Sequence, residues 1–131
     1  MTKNFSVANT TRHPIPRMPF SKMKEKVLGK AYNLSVVFIQ PKKMRELNAT
    51  YRKKDTATDI LAFPLSKETG EIYLCMQQVK RKAPLFEMSA RAYLPYLFIH
   101  GLVHLKGYEH GKKMDAVEKK ICKELRIESP H

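Results

Sequence analysis

A chain of 131 residues with 43% hydrophobic content is long enough to bury a core and too apolar for a disordered segment. No apolar run approaches the roughly 20 residues that span a bilayer, and the opening stretch MTKNFSVANTTRHPIP lacks the apolar centre and cleavage pattern of a secretory signal. Lys and Arg total 25 against 12 Asp and Glu, a formal +13, and such an excess predicts a polyanionic partner, above all RNA or DNA.

The basic residues fall in short clusters: KMKEK at 22–26, PKKMR at 41–45, YRKK at 51–54, KRK at 80–82 and KK at 112–113. None is long enough for a disordered tail, so the pattern predicts a basic face on a folded domain. A membrane surface fits less well, because no segment pairs a basic helical face with an aromatic one. Cys75 and Cys122 form no CxxC pair and suit two buried thiols in a reducing, cytoplasmic setting.

In chain order, FSV at 5–7 predicts a short edge strand, and Pro14, Pro16 and Pro19 keep the next segment irregular. From Phe20, the apolar residues Met23, Val27, Leu28 and Ala31 recur at helical spacing. The β-branched run LSVVFIQ at 34–40 reads as a strand ended by Pro41. Pro41 also suits the first position of a helix carrying Met44, Leu47 and Tyr51 inward. TDILAFPL at 58–65 and GEIYLCM at 70–76 predict antiparallel strands joined by the turn SKETG. Pro84 then marks a loop. Ser89 suits the cap of a helix carrying Leu94, Leu97, Phe98 and Leu102, which Gly107 stops. Pro95 predicts either a kink in that helix or its first turn. A last helix over 113–126 buries Met114, Val117, Ile121 and Leu125. Together these predict one α+β domain over residues 1–131, a small mixed sheet packed on helices.

The most informative stretch is HGLVHLKGYEH at 100–110. His100 and His104, four apart, lie on one face of a helix. Gly107 permits a sharp turn at positive φ, which brings His110 back toward the same point. Three neutral imidazoles with an open fourth position have the composition of a catalytic zinc site. Nickel, copper and iron take the same ligand type. The spacing is also that of HExxHxxGxxH metallopeptidases, whose general base is the Glu after the first His. Here that position is Gly101, which argues against a peptidase.

These residues resemble a known family. HGLVHLKGYEH is similar to the H-G-x-L-H-L-x-G-Y-D-H motif of the YbeY family, bacterial metal-dependent endoribonucleases of rRNA maturation. LNATYRKKDTATDILAFP at 47–64 resembles that family's L-N-x-x-Y-R-x-K-D-x-x-T-D-V-L-S-F-P, and GEIYLC its next strand. The resemblance implies an α+β fold with a mixed four-stranded sheet and a zincin-like three-histidine helix-turn motif. It implies one zinc ion per chain on His100, His104 and His110. It further implies single-strand-specific RNA cleavage in 16S rRNA 3′-end maturation and ribosome quality control, with the small ribosomal subunit as partner. The arginine of the family's Y-R-x-K-D motif falls on Arg52. Three positions depart from the pattern: Glu109 stands for Asp, Ala62 for a common Ser, and Pro95 lies within the histidine-bearing helix.

On this reading Arg52 braces charge developing on the phosphoryl oxygens; the competing reading is a salt bridge with Asp55 or Asp59. Asp55 and Asp59 themselves suit turn or cap positions. Lys53, Lys54 and Lys106 are the candidate RNA contacts. Glu109 and Asp115 are the acids nearest in sequence to the three histidines, and each is a candidate either to orient a histidine or to cap a helix. Tyr51, Tyr73 and Tyr108 are expected in the core rather than stacked on bases. Two other functions compete: a non-catalytic ribosome-associated RNA-binding protein with a structural zinc, and a zinc peptidase.

Overall fold

The computed structural model describes residues 4–130; residues 1–3 and 131, the ends of the predicted domain, lie outside the described residues. One sheet contains β1 (Phe5–Asn9), β2 (Asn33–Phe38), β3 (Ile60–Ser66) and β4 (Thr69–Leu74), in the order β1-β2-β4-β3. β1 and β4 run parallel to β2, while β3 pairs antiparallel with β4. Around the sheet lie α1 (Phe20–Leu28), α2 (Pro41–Arg52), α3 (Met76–Lys82), α4 (Ala90–Leu105) and α5 (Lys112–Leu125). This is the expected α+β architecture with a mixed four-stranded sheet.

Strand alternation divides the core between the two faces. Leu34, Val36 and Phe38 of β2 join Ile72 and Leu74 of β4 against α1, α4 and α5, where Met23, Phe98, Leu102 and Met114 are fully buried. On the other face, Val37, Leu61, Phe63 and Tyr73 meet Met44 and Leu47 of α2. Burial of α4 on nearly all sides from Tyr93 to Leu105 explains why this helix is apolar around its circumference. Among the described residues no helix is long and apolar enough to cross a membrane.

Four expectations change. The segment around Pro84 is not a plain loop but α3 and then a 3-10 turn at Ala83–Phe86, with Val79 and Ala83 buried four apart. α1 stops at Leu28, before Ala31, because Gly29 turns the chain at φ +88°. Pro95 does not begin α4: the helix starts at Ala90, where Ser89 Oγ accepts the Ala92 N–H at 3.1 Å. Pro95 therefore lies inside it and leaves the carbonyl of the exposed Arg91 without its helical donor. Finally, Tyr51 is 65% exposed rather than inward. The buried stripe of α2 is Met44 and Asn48, and Thr50, Tyr51 and Arg52 of its last turn are all exposed.

Candidate functional site

The three histidines of the 100–110 segment come together at the end of α4. Gly107, at φ +112°, reverses the chain after Leu105, a conformation costly for any residue with a Cβ. The His110 ring then lies with its centroid 5.2 Å from that of His100 and 6.0 Å from that of His104. His100 and His104 are partly buried, and His110 faces solvent.

Two of the three rings are fixed from behind. His104 Nδ1 lies 3.2 Å from the Tyr108 carbonyl, which only accepts, so Nδ1 carries a proton and, in the neutral ring, Nε2 keeps its lone pair. Nδ1 of His100 is bonded to Oε1 of Glu118, a carboxylate of α5 with 0% exposure. Burial pushes the His104 pKa below the ordinary imidazole value. The Tyr108 carbonyl opposes that shift, and the fields of His110, Arg52 and His100 reinforce it. A neutral ring is thereby favoured at His104.

This donor set suits a borderline-soft divalent ion: imidazole nitrogens with lone pairs, two of the rings oriented by a bond at the opposite nitrogen. Tetrahedral ligation at Zn–N of about 2.0–2.1 Å places imidazole centroids about 5 Å apart. The His100–His110 pair already has that separation, and the His104–His110 pair has further to close. Among the described residues no three His, Cys, Asp or Glu side chains are drawn into one coordination sphere as they stand. The rings are juxtaposed and oriented rather than closed on a common point.

Beside them stands a basic turn. α2 is capped after Arg52 by Lys53, a left-handed residue at φ +56°, whose N–H bonds the Ala49 carbonyl. Two contacts hold the returning chain: Asn48 Nδ2 donates to the Thr56 carbonyl at 2.9 Å, and Arg45 grips Asp55 through Nε at 2.7 Å and Nη2 at 3.0 Å. Asp59 is occupied elsewhere, accepting from Tyr93 Oη at 2.8 Å and pairing with Lys82 at 3.6 Å. Both acids nominated as salt-bridge partners of Arg52 thus hold other groups, and among the described residues neither pairs with it. Arg52, Lys53 and Lys54 are all exposed, and the charge of Arg52 is felt at His104.

The family described as Endoribonuclease YbeY matches residues 4–126, a span that takes in both the histidine segment and the basic turn. The chain belongs to the YbeY family. It is 31% identical over 151 aligned positions to the endoribonuclease YbeY of Mycoplasmopsis synoviae, an alignment covering 97% of each chain. Its identity to the Phytoplasma australiense endoribonuclease YbeY is 30%, over 83% of this chain and 82% of that one. The solution structure of TM1509 from Thermotoga maritima superposes with a TM-score of 0.62 at 26% identity, covering 93% of this chain and 91% of that one.

The other nominated residues are scattered. Lys106 donates from Nζ to the Val27 carbonyl at 3.1 Å, closing the C-terminal end of α1. Glu109 is exposed, and Asp115 lies in the first turn of α5, a favourable place for an acid at a helix N-terminus. The carboxylate that orients a histidine is Glu118, which sequence reasoning passed over. Its signal was present: Glu118 lies midway between Met114 and Cys122, four residues from each, on the stripe α5 buries.

Proposed function

We propose that this YbeY-family chain is a zinc-dependent endoribonuclease that hydrolyses single-stranded RNA. The observation that carries this reading is the pairing of three juxtaposed histidines, two of them bonded from behind, with an exposed arginine free of both neighbouring acids. His100, His104 and His110 would hold the ion, which when bound supplies Lewis-acid stabilisation to a phosphoryl oxygen. Glu118 and the Tyr108 carbonyl keep two of the rings in the correct tautomer and orientation. Arg52 places a planar guanidinium against the remaining phosphoryl oxygens, where its bidentate geometry matches the charge that develops. Lys53 and Lys54 draw the flanking backbone toward the same edge. The +13 charge supports a nucleic-acid substrate. The family resemblance supports the 3′ end of 16S rRNA as that substrate, ribosome quality control as the setting, the small subunit as partner and the cytoplasm as the location.

A peptidase is disfavoured by the fold itself. A Cβ built at Gly101 would lie 2.7 Å from Ile60 Cδ1 and 3.3 Å from Ile72 Cδ1. The position of the missing general base therefore faces the sheet. Cleavage of single-stranded RNA by metal-free and zinc-reconstituted protein, alongside thermal melting, tests the proposal. Cleavage that appears only on reconstitution is expected. Restored stability without cleavage would instead identify a structural zinc in a non-catalytic RNA-binding protein.

A further inference from the structure

The last turn of α2 carries a feature that phosphate binding does not use. Tyr51, immediately before Arg52, is 65% exposed, although a tyrosine ordinarily buries most of its ring. It is nevertheless held in place. Its ring sits 5.2 Å from that of Phe63 at an interplanar angle of 57°, and Phe63 meets Tyr73 at 5.9 Å and 67°. Phe63 and Tyr73 are half-buried against the α2 side of the sheet, and Tyr73 Oη donates to Glu71 Oε1 at 3.3 Å. A row of three rings thus runs from the sheet to solvent and ends in a supported aromatic surface.

Its surroundings restrict what it receives. The next three residues are Arg52, Lys53 and Lys54, and the acid just beyond them, Asp55, is gripped by Arg45. An apolar protein partner gains nothing from such a rim, whereas a nucleotide offers a π-face for the ring and a phosphate for the adjacent cations. We propose that Tyr51 is a stacking platform for a nucleobase of the bound strand, next to the phosphate that Arg52 engages. This rests on the ribonuclease reading and adds a binding subsite to it. Stacking accepts any base, so the platform positions the strand without reading its sequence.

The test is a coupling measurement with short single-stranded RNA, using oligomers in which one abasic nucleotide is walked along the strand. Wild type, Tyr51→Phe and Tyr51→Leu are compared by fluorescence anisotropy, with thermal melting of each variant. Leucine keeps an apolar contact with Phe63 but has no π-face, so loss of stacking is separated from loss of fold. Tyr51→Phe should bind within about twofold of wild type, and Tyr51→Leu about tenfold more weakly at unchanged melting temperature. At one abasic position the wild type should lose about the same factor, and Tyr51→Leu should lose nothing more. Wild-type affinity in Tyr51→Leu, or equal abasic penalties in both proteins, overturns the platform while leaving RNA cleavage standing. No RNA binding by the wild type overturns the ribonuclease reading and the platform together.

Discussion

The carboxylate of Glu118 on α5 is bonded to Nδ1 of His100 on α4, with the acid fully buried and the imidazole partly exposed. A charge with 0% exposure is retained in a core only with a partner that needs it. Here the partner is a ring whose other nitrogen is left to bind. The pair also joins two separate helices, so the orientation of His100 depends on how α5 docks on α4.

Zinc titrated into metal-free protein should bind at one ion per chain. His104→Ala should lose most of that binding, because two imidazoles chelate poorly. Glu118→Gln keeps the volume and a hydrogen bond but not the charge, and should weaken zinc by about 10–100-fold. Competition with a chromogenic chelator measures both. Full zinc occupancy in His104→Ala would remove the histidines from the metal assignment.

Arg52→Ala should lower kcat by on the order of 100-fold, with RNA affinity and zinc content little changed. Its melting temperature should match wild type, since Asp55 is held by Arg45 and Asp59 by Tyr93 and Lys82. Single-turnover cleavage and melting on one protein batch decide the point. Normal cleavage would take Arg52 out of the mechanism.

How much of this was legible depended on how local each feature is. HGLVHLKGYEH contains its helix face, its turn glycine and its third ring within eleven consecutive residues, so spacing alone predicted the juxtaposition. Glu118 was not legible as a histidine partner, because that role exists only once α5 packs on α4. Periodicity placed Tyr51 with Met44 and Leu47, and it does report which side of α2 faces the sheet. It does not report how much cover the sheet offers, and Tyr51 meets only the half-buried ring of Phe63 on the edge strand, which leaves it 65% exposed. The fate of Asp55 was hidden for a similar reason: its partner, Arg45, lies ten residues upstream, across a turn whose shape depends on the left-handed Lys53.

RNA binding should weaken steeply with salt. Each phosphate neutralised on a single strand contributes a slope of about −0.7 in log K against log salt. Filter binding should show Lys53→Ala and Lys54→Ala each reducing the magnitude of that slope, because both are exposed beside Arg52. A slope near zero in the wild type would mean that the +13 charge serves another purpose.

The two cysteines should be inert in the folded protein. Cys75 and Cys122 are buried, and burial, reinforced by the Glu118 charge, pushes the Cys122 thiol up to about 11. Burial also raises Cys75. Only the thiolate reacts, so at pH about 8 thiol reagents should label neither residue until denaturant is added. Rapid labelling of native Cys122 would contradict the packing of α5 against the core, and that of Cys75 the packing of α2 on the sheet.

Gly101 gives the sharpest test of why this histidine motif lacks the peptidase glutamate. Residue 101 lies on α4 one position beyond His100, about 100° around the helix, which turns it from the histidines toward β3 and β4. Gly101→Ala should be close to neutral. It gains about 1 kcal/mol of helix propensity, offset by the displacement of Ile60 Cδ1, the mobile end of a half-buried side chain, from its 2.7 Å approach. Gly101→Glu is a different matter, because it drives a charged side chain against Ile60 and Ile72. The expected cost is on the order of 3 kcal/mol or more, seen as a lower urea midpoint at unchanged slope. No peptide hydrolysis should appear, since the new acid faces the sheet. A Gly101→Glu protein with a wild-type midpoint and casein-cleaving activity would reopen the peptidase reading. An unstable, inactive protein would show that the glycine is required by the approach of α4 to the sheet rather than left by the loss of a catalytic base.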